Sequence, residues 1–181
     1  IGNAAYAQTQ HDVAGELVLC LETILTDPRV VYDDRSVGAL LQRLVDRAMA
    51  SSTQQDTGLW EYRTLPRHYT LSKVMCWVAA HRGAELAEAL GLNGQASTWR
   101  TWAATERERI LRHAYNADLG FFTQALDGTY PDASNLLLPT LGLVEATDPR
   151  FRSTVRAYEQ RLVDGGLMLR YRHDDDFGAT T

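Results

Sequence analysis

Thr70-Leu-Ser-Lys-Val-Met-Cys-Trp-Val-Ala-Ala-His-Arg-Gly-Ala-Glu-Leu-Ala-Glu-Ala-Leu90 decides the fold class. Its first half is apolar nearly all round, through Leu71, Val74, Met75, Trp77, Val78, Ala79 and Ala80. A helix of that kind is wrapped by other elements on most sides. Outward from it the chain reads as helix after helix. Toward the N-terminus, Val13, Ala14, Leu17, Val18, Leu21, Ile24 and Leu25 form a 3.6-residue stripe, and Val37, Leu40, Leu41, Leu44, Val45 and Ala48 repeat it. Toward the C-terminus, Trp99, Trp102, Ala103, Ile110, Leu111 and Ala114 mark a fourth helix, with Ser97 as its expected N-cap. A fifth is expected from Ala133 to Ala146, kinked at Pro139. A sixth begins at Asp148-Pro149, a cap followed by proline at the first helical position, and continues through Phe151, Val155, Tyr158 and Leu162.

The odd helices are more uniformly apolar than the even ones. The second carries Gln42, Arg43, Asp46 and Arg47 on a polar face, the fourth Arg100, Glu106, Arg107 and Arg109, the sixth Arg152, Arg156, Glu159 and Arg161. Inner helices alternating with outer ones is the pattern of an α/α barrel. The expected fold class is therefore all-α, part of an (α/α)6 barrel with about six helices present. Connections between helices one and two, three and four, and five and six are short. Those between two and three, four and five, and after six run to roughly a dozen residues or more, uncommon in a compact domain unless they carry function. In an up-and-down array the long connections share one end, which the segment Ile1 to Asp12 also enters. Long ordered loops on a rigid scaffold are where sites are built.

Bulk properties exclude several function classes. The net charge of −5 argues against a nucleic-acid partner. Lys73 is the sole lysine, so a basic membrane patch is not expected, and no apolar run reaches bilayer length. No charged-then-apolar leader opens the chain, and a cytoplasmic location is the expectation. Cys20 and Cys76 both lie in apolar helical segments and read as buried free thiols rather than as a disulfide or metal pair. There is no Gly-x-Gly-x-x-Gly, phosphate-binding loop, Gly-x-Ser-x-Gly or metal-spaced histidine pair. No cofactor and no metal is expected.

The first long loop contains Asp56-Thr-Gly-Leu-Trp-Glu-Tyr-Arg63. A carboxyl group against an indole is partly desolvated, which raises its pKa as a general acid requires. Glu61, between Trp60 and Tyr62, is the candidate, with Arg63 expected on a neighbouring carboxylate or a sugar hydroxyl. Taken alone, this loop fits a structural salt bridge better than catalysis. In the second loop, Asn116 to Gly120 and Asp127-Gly128 are turn signals around Phe121-Phe-Thr-Gln-Ala125, so a short β-excursion is plausible. Asp132 then reads as the cap of helix five. The third loop ends Arg170-Tyr-Arg-His-Asp-Asp-Asp176, where planar donors, an aromatic face and acceptors suit carbohydrate recognition, a solvated charged loop being the simpler alternative. The three aspartates lack the spaced oxygen ligands and glycine of a Ca²⁺ loop.

Six motifs in order carry more than a pattern: Gly2-Asn-Ala-Ala5 with Gln8, Gln10, Asp12 and Gly15-Glu16; Asp56-x-Gly-x-Trp-Glu-x-Arg63; Ser72-Lys-Val-Met-Cys-Trp77; Asp132-Ala-Ser-Asn-Leu136 with Pro139; Asp148-Pro-Arg150 with Thr154-Val155; and Arg170-Tyr171. In these the chain resembles glycoside hydrolase family 15, particularly its bacterial glucoamylase, α-glucosidase and trehalase branch. The resemblance implies an inverting, exo-acting α-glucoside hydrolase that releases glucose from the non-reducing end of an oligosaccharide or disaccharide. It implies Glu61 as general acid, and Trp60, Tyr62, Arg63, Lys73, Arg170 and Tyr171 as substrate-binding residues. It also implies that residues 1–181 are a partial catalytic domain. The β-rich N-terminal domain and first barrel helices would precede residue 1, the general base would follow residue 181, and the isolated piece would be inactive. Ala14 and His81 depart from the family's usual aromatic and acidic residues, which bears on substrate preference. The rival readings are trehalase, a non-catalytic helical toroid that binds carbohydrate or acts as a scaffold, and another α/α-toroid enzyme such as a lyase or terpenoid cyclase. A cyclase would want an Asp-Asp-x-x-Asp motif on a helix, which Asp174-Asp-Asp176 does not supply.

Overall fold

The computed structural model describes residues 6, 8–62 and 65–173. Five α-helices dominate: α1 Val13–Leu25, α2 Asp34–Ser51, α3 Thr70–Ala89, α4 Asn93–Ala114 and α5 Pro149–Leu162. Two minimal hairpins accompany them. Strands β1 Tyr115–Asn116 and β2 Phe121–Phe122 pair antiparallel, as do β3 Val163–Asp164 and β4 Leu167–Met168. The architecture is all-α, part of an (α/α)6 barrel.

Helix α3 is the axis of the packing. Every residue from Thr70 to Ala80 is buried, and the helix packs against α1, α2 and α4. Val18 of α1, Leu41, Val45 and Ala48 of α2, and Ile110 of α4 close the core around it with no residual exposure. Burial of such side chains stabilises by about 1.5–3 kcal/mol each. The α1–α3 contact is made backbone to backbone: Gly15 lies so close that a Cβ would run into the Met75 carbonyl. Between α2 and α3, a Cβ at Gly83 would be 2.6 Å from Val45 Cγ2, so glycine sets this approach as well.

Local signals place most of the ends. Asp33 caps α2 by accepting from the Ser36 amide at 2.8 Å, and Asp148 caps α5 by accepting from the Arg150 amide at 2.8 Å, with Pro149 at the first helical position. The expected β-excursion is the β1–β2 hairpin, closed by Gly120 at φ +74°. Four expectations need correction. Helix α4 starts at Asn93, so Ser97 lies inside it and is not its cap. Glu106 on α4 is turned inward and buried, held by Arg109 at 2.8 Å, instead of joining the outer polar face. The expected fifth helix is a 3-10 helix, Ala133–Leu137, followed by turns. Pro139 has no amide to continue a helical ladder, and Gly142 at φ +84° reverses the chain. Leu138, Leu143 and Val144 still reach the core from these turns. Both cysteines are free, but only Cys76 is buried; Cys20 is exposed on α1.

Candidate active site

The four non-helical segments meet at one end of the array. Residues 8–11, 56–62 with 65–69, 123–133 and 170–173 are tied by hydrogen bonds that cross long stretches of sequence. Asp56 and Arg67 exchange backbone hydrogen bonds at 3.0 Å each, the Thr57 amide donates to the Thr9 carbonyl at 3.0 Å, the Thr70 amide donates to the Gln124 carbonyl at 2.8 Å, and the Ala133 amide donates to the Arg170 carbonyl at 2.8 Å. Buried Asp56 also accepts from the His11 amide at 3.1 Å.

Within this frame, residues 57–62 form a tight turn. Gly58 has φ +66°, and a Cβ there would meet Tyr69 Cδ2 at 2.8 Å. The Glu61 amide donates to the Gly58 carbonyl at 3.1 Å and the Tyr62 amide to the Thr57 carbonyl at 2.9 Å. Glu61 itself has φ +61°, one of two non-glycine residues in the left-handed region among the described residues. Such a conformation costs on the order of 1–3 kcal/mol and persists where surroundings over-determine it, often at functional sites. Here the Gln8 side-chain amide holds the Glu61 carbonyl at 2.9 Å. The Glu61 side chain is exposed. The expected burial of Glu61 against its neighbouring indole is thus not seen among the described residues.

Trp60 donates its indole N–H to both oxygens of Asp132, at 3.0 and 3.1 Å. The Arg170 guanidinium stands 5.3 Å from the Trp60 ring centroid and 5.4 Å from the Tyr171 ring centroid, a cation–π contact with each. Trp60 is half-buried and Arg170 exposed, so both are accessible to a ligand. Tyr62 and Tyr171 are not: they are 0% and 1% exposed. Tyr62 stacks on Tyr69 at 5.2 Å and packs on Tyr171 at 5.3 Å, while His173 stacks on Tyr171 at 4.8 Å. The Tyr62 hydroxyl accepts from the Gln124 side-chain amide at 2.7 Å, and burial pushes its phenol pKa upward, so it stays neutral. Both tyrosines are buried and pack together, and the Tyr171 ring also meets Trp60 and the Arg170 guanidinium. A cavity of about 290 Å³, lined by Leu65, Arg67, Tyr69, Gln124, Tyr130 and His173, opens beside the cluster. Arg63, Asp174, Asp175 and Asp176 lie outside the described residues.

Lys73 is the candidate that the structure moves away. It is fully buried in the first turn of α3, and its ammonium donates to the carbonyls of Ser51 and Gln54 where α2 ends. Burial lowers its pKa, with nearby Cys76 and Asp56 acting in the opposite direction. A long basic side chain next to a site loop satisfies helix-terminal carbonyls as readily as a sugar, and sequence does not say which. In the intact protein, Lys73→Met is expected to lower stability by about 1–3 kcal/mol, through carbonyls left without a donor. The KM for sugar is expected to stay within about twofold, because Met keeps the apolar stem and no sugar contact is lost. Thermal unfolding and substrate titration read the two effects, and a raised KM at unchanged melting temperature would return Lys73 to the sugar.

Three contributors escaped the sequence reading. Asp132 reads as a helix cap and does bond the Ser134 amide at 2.9 Å, but it also grips Trp60. Gln124 and Tyr69 carry no motif at all and are found only by contact. Among the described residues, no group of three or more His, Cys, Asp or Glu side chains is arranged to hold a metal, and no helix is long and apolar enough to cross a membrane.

The family model described as glycosyl hydrolases family 15 matches residues 1–179. The chain is 40% identical over 181 residues to a protein named trehalase from Mycobacterium tuberculosis, covering 99% of this chain and 26% of that protein. It is 36% identical over 175 residues to a trehalase of Mycolicibacterium smegmatis, covering 97% and 26%, and 32% identical over 180 residues to a trehalase of Thermoplasma volcanium, covering 97% and 28%. The chain thus spans about a quarter of the length of these curated relatives. No solved structure gives a significant match.

Proposed function

The chain belongs to glycosyl hydrolases family 15, and on that premise we propose that it supplies the proton-donating side of an inverting, exo-acting α-glucoside hydrolase. The substrate class is a small α-glucoside. Trehalose, two glucose units joined through both anomeric carbons, is favoured over longer α-glucans because relatives 40% and 36% identical to the chain carry the name trehalase. Glu61 is assigned the general acid, giving its proton to the departing glycosidic oxygen as the C–O bond breaks. A second carboxylate on the opposite face of the sugar activates the water that attacks the anomeric carbon. Arg170 is assigned hydrogen bonds to sugar hydroxyls, which its planar fork can make in pairs. Trp60 offers an apolar wall, and Arg63 is assigned to the same pocket from its place in the motif.

One observation carries this reading. The Trp60-Glu61 turn and Arg170, 110 positions apart in the chain, stand together on one end of a helical scaffold. The left-handed backbone at Glu61 supports it, since that strain is maintained by a hydrogen bond from another segment.

The test is glucose release by the intact protein from trehalose, isomaltose and starch, with the anomers followed by NMR. Inversion of trehalose yields one molecule of β-glucose and one of α-glucose in the first turnovers. Two α-glucose molecules would overturn inversion, and no release from any of the three would overturn the hydrolase assignment.

A further inference from the structure

We propose that Asp132 is a positioning residue of the candidate site: with the adjacent Ala133 amide it holds Trp60 and Arg170 in one fixed relation, and so sets where Glu61 stands relative to the guanidinium. This rests on the hydrolase reading above.

Capping alone does not account for the residue. A cap needs one acceptor oxygen, and Asp132 Oδ1 supplies it to the Ser134 amide at 2.9 Å. Serine or asparagine would cap as well without placing a carboxylate in the interior. Asp132 is 3% exposed, and its second oxygen has no part in the cap. Oδ2 instead accepts from the Trp60 indole at 3.0 Å and the Gln124 amide at 3.3 Å. Burial pushes the Asp132 carboxyl above the usual range, while Ser134, Trp60 and Gln124 hold it back by donating to the charged form.

The anchor behind Asp132 is rigid. Asn135, three residues on, donates to the Thr123 carbonyl at 3.0 Å and to the Tyr158 hydroxyl at 3.0 Å, and both Asn135 and Tyr158 are fully buried. The next residue after Asp132 takes hold of the other half of the site, because the Ala133 amide donates to the Arg170 carbonyl at 2.8 Å. Two consecutive residues thus fasten both partners of the cation–π pair to one corner of the core. Gln124 extends the corner sideways, donating to the Tyr62 hydroxyl at 2.7 Å and accepting at its Oε1 from the His173 ring at 3.2 Å. The turn that carries Glu61 is therefore held at Gln8 on one side and at the Trp60 indole on the other.

The experiment compares Asp132→Ala, Trp60→Phe and the double variant in the intact protein, with trehalose as substrate. Ala removes both oxygens that the Trp60 indole meets, whereas Asn would leave it an acceptor whichever way the amide turned. Trp60→Phe removes the indole N–H and keeps an aromatic wall, so it tests the link even where Asp132→Ala folds poorly. Each single change is expected to lower kcat by about ten- to hundredfold, as misplacement of about 1 Å does. KM is expected to move by less than about threefold, and the double variant to be no worse than the more impaired single, because both cut one link. A kcat within twofold for Trp60→Phe, or losses that multiply in the double variant, overturns the proposal. The ¹⁵N-indole resonance of Trp60 reads the anchor without activity: Asp132→Ala should shift it upfield and expose it to exchange. If the wild-type protein hydrolyses no α-glucoside, the hydrolase reading fails. An indole signal unmoved by Asp132→Ala would then separately overturn the anchor.

Discussion

Glu61→Gln in the intact protein is expected to lower kcat on trehalose by about 10³-fold or more, within the range that general acid catalysis supplies. Glutamine matches glutamate in shape but has no carboxyl proton to deliver to the leaving oxygen. The fold should not notice. The Glu61 side chain is exposed, and the interactions that hold the residue, Gly58 to its amide and Gln8 to its carbonyl, are made by backbone atoms that glutamine also has. The melting temperature is expected to stay within about 2 °C, as for surface substitutions generally. A substrate that needs no proton separates acid catalysis from a binding role. α-Glucosyl fluoride loses fluoride without help from an acid, so Glu61→Gln should retain turnover of it within about tenfold of wild type. Equal losses on fluoride and trehalose would show that Glu61 is not the proton donor.

Arg170→Ala is expected to cut kcat/KM on trehalose by about a hundredfold, with kcat and KM both affected. Hydrogen bonds from a charged donor are worth about 1.5–3 kcal/mol each, and a guanidinium can place two on neighbouring hydroxyls. Truncation also removes the cation from the faces of Trp60 and Tyr171. The tie from Ala133 to the Arg170 carbonyl survives, since alanine keeps that carbonyl. Arg170→Lys should recover part of KM and little of kcat, because an ammonium lacks the planar fork. Unchanged kcat and KM in Arg170→Ala would place the residue outside the sugar site.

Much of the scaffold was legible because burial writes itself into side-chain chemistry. A segment apolar on every side, such as Leu71 to Ala80, has one stable place, inside. Asp148-Pro149 announces a helix start because orphan amides need an acceptor. The expected helix from Ala133 to Ala146 misled for a related reason: its Leu136-Leu-Leu138 run marks a contact with the core, which Leu138 makes, but not the backbone that makes it, and Pro139 decides for turns. Site geometry was less legible. Glutamate has no preference for a left-handed backbone, so nothing in Trp60-Glu61-Tyr62 signals φ +61°; only the cross-chain bond from Gln8 makes it tenable. The tip of Lys73 could face carbonyls or sugar on equal terms in sequence. Asp132 is readable as a cap from the next few residues, whereas its hold on Trp60 spans 72 positions and is a fact of three dimensions.

The unequal surroundings of the two cysteines have a practical outcome. Cys76 is sealed in the core with its thiol pushed up to about 12 by burial, and therefore stays protonated and inert toward electrophiles near neutral pH. Cys20 lies open on the surface of α1. A maleimide dye added to the native segment should thus attach at a single place, giving a spectroscopic reporter on α1 with no residue changed.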